Sequence, residues 1–491
     1  MPPPPLELDG VSVLTFSTIE TSPARARAVP VALLWTMAAV VPIVGLLALA
    51  LWRVPYPISE TVAILEDLDQ KPLRELLIGS AVYFRPGFWL MLYSIWHAAA
   101  SPAEALFFFK ILHITTAVGL LALFVAAVAP TTFTEAAGAL AAFAVLVAAP
   151  GFRDNLENLP LNHMLLEMGI ALAIFLLIQG IEERRWRDGV AIVLSAIALS
   201  LREHGLIAIA MIAVARPLGY RGVGRIATAV VVSLGGLYLG YRLAGMSQWP
   251  VFMRNVGVGF GELSEHDAML RFGSFPATQY LYNVAATAGN VLFGEPSRGV
   301  FVIVRNIVAG RTVFWQWNQL LSSAAMTCLI ACWAVASLRG ESAGGRDRRL
   351  ACLTAVVIIL GSLLGYNYTR DRFGGVLAVF YALCAGRAVL WLIERGLAGS
   401  AWRAFAVSAG LCVLLSAWEL RVAGTIQFVR QNAWESRKEW IMDYQDRATR
   451  FSNRPHYVQL LDALHAQGTN ATIPDTQRDP QWVERFLGNR W

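Results

Sequence analysis

The sequence predicts an all-α, polytopic membrane protein with about eleven transmembrane helices and further helices at its outer face. Three observations carry that expectation. Of the 491 residues, 56% are hydrophobic and only 15% are charged, against roughly 25% charged in a soluble domain. The apolar residues fall in successive runs, most of them near span length, and mean hydropathy is +0.52. The arginines gather in alternate short loops between those runs, the pattern that sorts cytoplasmic from external loops.

The net charge of +6 therefore reads as topology. No basic stripe is interleaved with aromatics for stacking bases, which argues against nucleic-acid binding. Cys328, Cys332, Cys352, Cys384 and Cys412 all lie in apolar stretches. Cys328 and Cys332 share a helix face, but no histidine or carboxylate is near enough to complete a metal site. They read as small core residues, and no disulfide framework is implied.

Residues 1–30 form a proline-rich leader, expected to be disordered. Arg25 and Arg27 precede the first apolar run, 31–51, and place the leader in the cytoplasm. That run has the length of a span and no small-residue cleavage site, so it reads as an anchor. An outer segment follows, 52–105, with Glu60, Glu66, Asp67, Asp69 and Glu75 in its first half. Its second half, 87–100, is aromatic, too short to cross, and reads as an interfacial helix. Spans are expected near 106–128, 135–149 and 161–179, with Arg184, Arg185 and Arg187 then marking a cytoplasmic loop. Two short runs, 190–201 and 206–215, flank Arg202, Glu203 and His204. One continuous helix would bury three ionisable groups near the bilayer centre, at a large cost. Two short helices meeting at the outer face avoid it, and they put Arg216, Arg221 and Arg225 on the cytoplasmic side. Span seven is expected at 226–244. A second outer segment, 245–311, mixes aromatic and glycine-rich stretches and should lie partly on the membrane surface. The last spans are expected at 314–338, 350–366, 373–393 and 402–420. Arg339, Arg346, Arg348 and Arg349, then Arg395 and Arg403, mark the cytoplasmic loops between them. The organisation is thus a leader (1–30), a transmembrane domain (31–420) and a small polar external tail (421–491). No internal repeat is found.

Ionisable residues at membrane depth, or at its edge, point to function. Four groups converge on the outer face: Glu60; Asp154 with Glu157; Arg202, Glu203 and His204; and Tyr368, Arg370 and Arg372. Such a face suits a lipid-linked donor with a phosphate leaving group. The guanidinium fork matches phosphate oxygens, and a carboxylate can take the proton of an acceptor hydroxyl. No cofactor is required, and no ligand cluster indicates a divalent metal. Plainer readings stand beside these. Glu66, Asp67 and Asp69 suit a solvated helix face, Trp89, Tyr93 and Trp96 an interfacial belt, and His204 a structural histidine. Asn367-Tyr368-Thr369 and Asn470-Ala471-Thr472 match a glycosylation pattern that is common by chance.

The layout carries a resemblance. Ser59-Glu60-Thr61 opens a large acidic segment after the first span. Tyr83-Phe84-Arg85-Pro86-Gly87-Phe88-Trp89 opens the aromatic interfacial helix. Leu201-Arg202-Glu203-His204-Gly205 hinges the short helix pair, and Tyr366-Asn367-Tyr368-Thr369-Arg370-Asp371-Arg372 precedes a late span. From residue 31 to about 420 this resembles the GT-C class of integral membrane glycosyltransferases, in particular the bacterial relatives of protein mannosyltransferases and aminoarabinose transferases. The resemblance implies an active site at the outer face of a bacterial inner membrane. It implies a polyprenyl-phosphate-linked sugar as donor and a lipid, glycan or protein as acceptor. Glu60 matches the general base, where the family often has an aspartate or a pair of acids. Arg202-Glu203 stands where the family usually has lysine and glutamate, and Arg202 would contact the donor phosphate. Arg370 and Arg372 match the late basic position that faces the lipid phosphate. Arg85, Glu203, Tyr368, Asp154 and Glu157 complete the expected substrate-binding set.

Other functions compete. A transporter or flippase for lipid-linked glycans would want charged or broken helices near the midplane and repeat symmetry. A polysaccharide ligase or polymerase usually carries its main catalytic loop late in the chain. A non-catalytic assembly subunit descended from a transferase would look much the same. The large first outer segment favours the transferase.

Overall fold

The computed structural model describes residues 31–53, 58–78, 85–157, 163–180, 182–245, 277–297, 302–340, 345–366 and 369–466, with a few positions between 257 and 270. In chain order, α1 (Val31–Arg53) leads to α2 (Ile58–Gln70), α3 (Leu73–Ile78) and α4 (Pro86–Ala98). Then come α5 (Pro102–Ala127), α6 (Phe133–Ala148), α7 (Pro150–Glu157), α8 (His163–Ile178), α9 (Arg185–Leu201), α10 (Gly205–Ala215) and α11 (Arg225–Gly245). A two-residue ladder pairs β1 (Gly257–Val258) with β2 (Gly261–Glu262). There follow α12 (Ala277–Phe293), α13 (Val302–Val308), α14 (Phe314–Leu338), α15 (Gly345–Leu364), α16 (Gly375–Leu397), α17 (Ala401–Gln445), α18 (Arg447–Arg450) and α19 (Pro455–Ala466).

Among the described residues five helices are long and apolar enough to cross a membrane: α1, α5, α14, α16 with the 3-10 turn before it, and α17. The bent pair α6–α7 makes a sixth if it is one span. The chain is therefore an all-α, multi-pass membrane protein. Each apolar run read from the sequence is helical, yet the runs are not equal. α8 and α10 have 16 and 11 residues, or roughly 24 and 17 Å, short of the roughly 30 Å hydrocarbon core. α9 and α15 open on charged turns, with Arg185, Arg187 and Asp188 in one and Arg346, Asp347, Arg348 and Arg349 in the other.

Local chemistry sets several boundaries. Ser101 caps α5 by accepting the Glu104 N–H, with proline at the first position where a missing N–H costs nothing. Thr132 and Glu135 form a reciprocal capping box on α6. At the centre, α16 crosses α6 at two glycines. A Cβ on Gly386 would stand 2.7 Å from the Gly138 carbonyl oxygen, so only small residues allow this approach.

α6 ends where Pro150 removes an N–H, and the axis turns by 59° into α7. The break leaves carbonyls unmatched, and α17 supplies donors. The Thr425 hydroxyl donates to Val147 O at 3.1 Å, and Arg421 donates to Ala148 O at 3.2 Å. Arg421 is buried, donates also to the Ser322 and Ser323 hydroxyls, and lies over the Trp418 ring.

The tail differs from expectation at its boundary. α17 runs unbroken through residue 420 for 45 residues in all, about 67 Å. The chain then returns through α18 to α19, which docks on α2. Tyr457, Leu461 and Leu464 are fully buried there, with Val62, Leu65 and Leu68 of α2 in the same core. Arg454 pairs with Glu66, and His456 meets Asp69 at 2.8 Å. The leader and residues 467–491, including Asn470, lie outside the described residues.

Candidate functional site

The site is built where helix ends meet at one end of the bundle. α4 starts at Pro86, with Arg85 at its N-cap. A Cβ on Gly87 would stand 2.1 Å from the Ser200 Oγ, so glycine lets α4 press onto the end of α9. That approach brings Arg85 to the hinge, with Nη2 at 3.8 Å from Glu203 Oε1. Within the hinge, Arg202 Nε donates to the same oxygen at 3.2 Å and Nη1 to the Met164 sulfur at 3.2 Å. The Arg202 guanidinium lies 4.6 Å over the Phe373 ring, and the His204 ring stands 5.1 Å from it. Gly205 closes the turn, for a Cβ there would come within 2.4 Å of the Ala198 backbone.

The late segment is locked from two sides. Asp154 on α7 accepts the Arg372 N–H at 2.9 Å, and Asn155 donates to Arg372 O at 3.0 Å. From the other side, α12 presents a buried polar face. Asn283 donates to Tyr366 O, the Thr287 and Thr369 hydroxyls share a hydrogen bond, and Asn290 donates to Asp371 Oδ1. The Ser297 N–H donates to that same oxygen at 2.6 Å.

Three of the four groups read from the sequence thus come together, and Arg85 joins them. Arg370 and Arg372 are half-buried at the start of the 3-10 turn Asp371–Gly374. Asp154 bonds to backbone, so it shapes the segment. Glu60 falls in the first turn of α2, and Glu157 is the last residue of α7. The side chains of both, and Tyr368 as a whole, lie outside the described residues. The neighbouring acids are engaged elsewhere: Glu66 with Arg454, Asp69 with His456, and Asp67 with Lys71.

Charge in the hinge is strongly organised. Burial alone would raise the Glu203 carboxyl. Arg202 and then Arg85 override that and hold it well below the usual carboxylate range. His204 is pushed down to about 3 by burial and by Arg202, so its imidazole is neutral. Among the described residues two guanidiniums converge on this carboxylate, an arrangement of the kind that recognises an anion.

Some members were not among the sequence candidates. Glu167 is buried on α8, with Arg202, Glu203 and Arg85 as its charged neighbours. Its signal was present: it is the lone acid in the apolar run 161–179. Asn155, Asn290 and Arg421 gave no such signal, because their partners are distant in sequence. Among the described residues no group of three or more histidines, cysteines and carboxylates could hold a metal ion. No protein-family profile, no curated protein and no solved structure matches the chain.

Proposed function

We propose that the protein is a GT-C-type glycosyltransferase with eleven crossings and a cytoplasmic N-terminus. It moves a sugar from a polyprenyl-phosphate donor to a lipid, glycan or protein at the outer face of a bacterial inner membrane. The observation that carries this reading is the Arg85–Glu203–Arg202 cluster packed on the segment around Phe373 at one end of the bundle.

The chemistry follows from the residues. Glu60 takes the proton of the acceptor hydroxyl as its oxygen attacks the anomeric carbon. The bond from that carbon to the phosphate oxygen breaks, and the lipid phosphate leaves with the electron pair. Its charge grows from about −1 toward −2, so the arginines bind the transition state more strongly than the ground state. Arg202, Arg370 and Arg372 take this role. Arg85 and Glu203 orient the donor, and Asp154, Glu157 and Tyr368 complete the substrate-binding set.

A second reading, translocation of a lipid-linked glycan, is favoured by the 59° break between α6 and α7 beside the cluster, since broken helices mark transport sites. One experiment separates the two. Purified protein is given radiolabelled polyprenyl-phosphate sugars and a membrane lipid extract, with Glu60→Gln and Arg370→Ala alongside. Transfer that disappears in folded Glu60→Gln supports the transferase and its base. Transfer that survives moves the base elsewhere. In proteoliposomes, label that changes leaflet without transfer supports translocation.

A further inference from the structure

Two buried residues that share Arg85, Arg202 and Glu203 as charged neighbours carry four unmatched polar atoms. Both carboxyl oxygens of Glu167 and both ring nitrogens of His204 are buried with no hydrogen-bond partner among the described residues. The two residues are 3% and 2% exposed. Each such group costs on the order of 1–3 kcal/mol, and folded proteins carry few of them. Glu167 follows Met164 by three positions on α8, so both lie on one face. Met164 is the residue whose sulfur receives Arg202 Nη1. A thioether is a weak acceptor, so that arginine still has bonding capacity to offer. The ring of Phe373 lies under Arg202 and beside His204.

The chemistry of the unmatched atoms limits what completes them. A bare anion would meet the oxygens of Glu167. A bare cation would meet the guanidiniums of Arg85 and Arg202. A carboxyl and a neutral imidazole together offer both donors and acceptors, which is the complement of neighbouring hydroxyls. The aromatic ring suits the C–H face of a saturated ring. We propose that Glu167 and His204 form the floor of a buried subsite for the hydroxyl-bearing sugar ring of the donor, with Arg85 and Arg202 at its rim holding the phosphodiester. The identity of the donor rests on the transferase reading; the floor rests on the unmatched atoms.

The test is a binding measurement, which needs no turnover. Wild type, Glu167→Leu, Glu167→Gln and His204→Phe are titrated with short-chain polyprenyl phosphate carrying a hexose or a pentose, and with the same lipid phosphate bare. One of the sugar-bearing lipids is expected to bind wild type about tenfold more tightly than the bare lipid. That increment disappears in Glu167→Leu and His204→Phe, and partly returns in Glu167→Gln, which keeps a donor and an acceptor. Affinity for bare lipid phosphate stays within about twofold, because the arginines remain. Without ligand, Glu167→Leu melts above wild type, since an unmatched carboxyl has gone. Equal affinity of wild type for sugared and bare lipids would give the space to ordered water and overturn the subsite. An increment that survives both apolar variants would overturn it as well. Sugar-dependent binding without transfer to any acceptor would leave the subsite standing and remove the transferase reading.

Discussion

Arg202 is the residue on which the site turns. It holds Glu203, covers Phe373 and reaches Met164 at once. Lysine is a point charge without the planar fork that lies over the ring while reaching two partners, so Arg202→Lys is expected to lower donor transfer at least tenfold. Arg202→Ala leaves the half-buried Glu203 with Arg85 as its remaining ion-pair partner among the described residues. It is expected to cost about 1–3 kcal/mol, read by chemical denaturation in detergent. The pH dependence of stability has a definite sign. Below its ordinary value of 6.5 the unfolded chain protonates His204, while the folded protein resists down to about 3. Stability therefore falls as pH drops from 6.5, by about 2 kcal/mol at pH 5 from this residue alone. Glu203, held ionised in the fold, adds a loss of the same sign at lower pH. Melting of wild type and His204→Phe between pH 8 and 5 checks this, and the variant should be flatter above pH 5. Parallel curves would sink the assignment. Arg202, Glu203 and His204 were legible in the sequence because three ionisable residues interrupt an apolar stretch. Glu167 is legible in principle, as the lone acid in its apolar run. Asn155 and Asn290 were not legible, since an amide shows its role only once its partner, 217 or 81 positions away, is known.

The helices owe their places to close approaches that a hydropathy profile does not contain. Gly138 and Gly386 let α6 and α16 touch backbone to side-chain depth. In lipid, where apolar side chains gain little from meeting one another, such contact is a main source of association. Gly386→Leu would drive side-chain atoms into the Gly138 carbonyl and the Ala142 Cβ. A loss of about 1–3 kcal/mol, or failure to fold, is expected from thermal melting in detergent. Gly45, with nothing within 4 Å of its Cβ direction, is the control, and Gly45→Ala should melt as wild type does. The α6–α7 break shows the same blindness. Pro150 announces an interruption, but not that Arg421 and Thr425 come back to satisfy the carbonyls it strands. The sequence placed Arg421 at the edge of a span, where a basic residue usually needs no partner. Its burial against neutral oxygens and an indole face gives it a structural task instead. Helix existence was thus readable from apolar runs. Crossing number was not, because α8, α9, α10 and α15 are short or charged at one end and their depth depends on neighbours.

For the whole molecule, the placement of the tail decides between a peripheral appendage and a working part. α19 covers the apolar side of α2, and Arg454 and His456 pair with Glu66 and Asp69 on its flank. α2 also carries Glu60, so the tail braces the helix that bears the proposed base. The bracing ties topology to function, because α2, α19 and the hinge at Glu203 must then face the same side of the membrane. The arginine-rich turns around Arg348 must face the other. Single cysteines at Asp69, His456 and Arg348, in a background without Cys328, Cys332, Cys352, Cys384 and Cys412, give the measurement. A membrane-impermeant thiol reagent applied to intact inner-membrane-exposed cells should label the first two and spare the third. The paired Asp69→Cys/His456→Cys variant should be joined by a short bifunctional thiol cross-linker, since the tips of the longer native side chains meet at 2.8 Å. Labelling of Arg348→Cys from outside would invert the bundle and place the arginine cluster in the cytoplasm. A nucleotide-linked donor would then become the natural substrate in place of a polyprenyl-phosphate sugar. Labelling of positions 69 and 456 from opposite sides would instead break the contact between α2 and α19. The brace on Glu60 would be lost with it, and truncation after Gln445 should then leave transfer unchanged, where an intact brace predicts that truncation abolishes it.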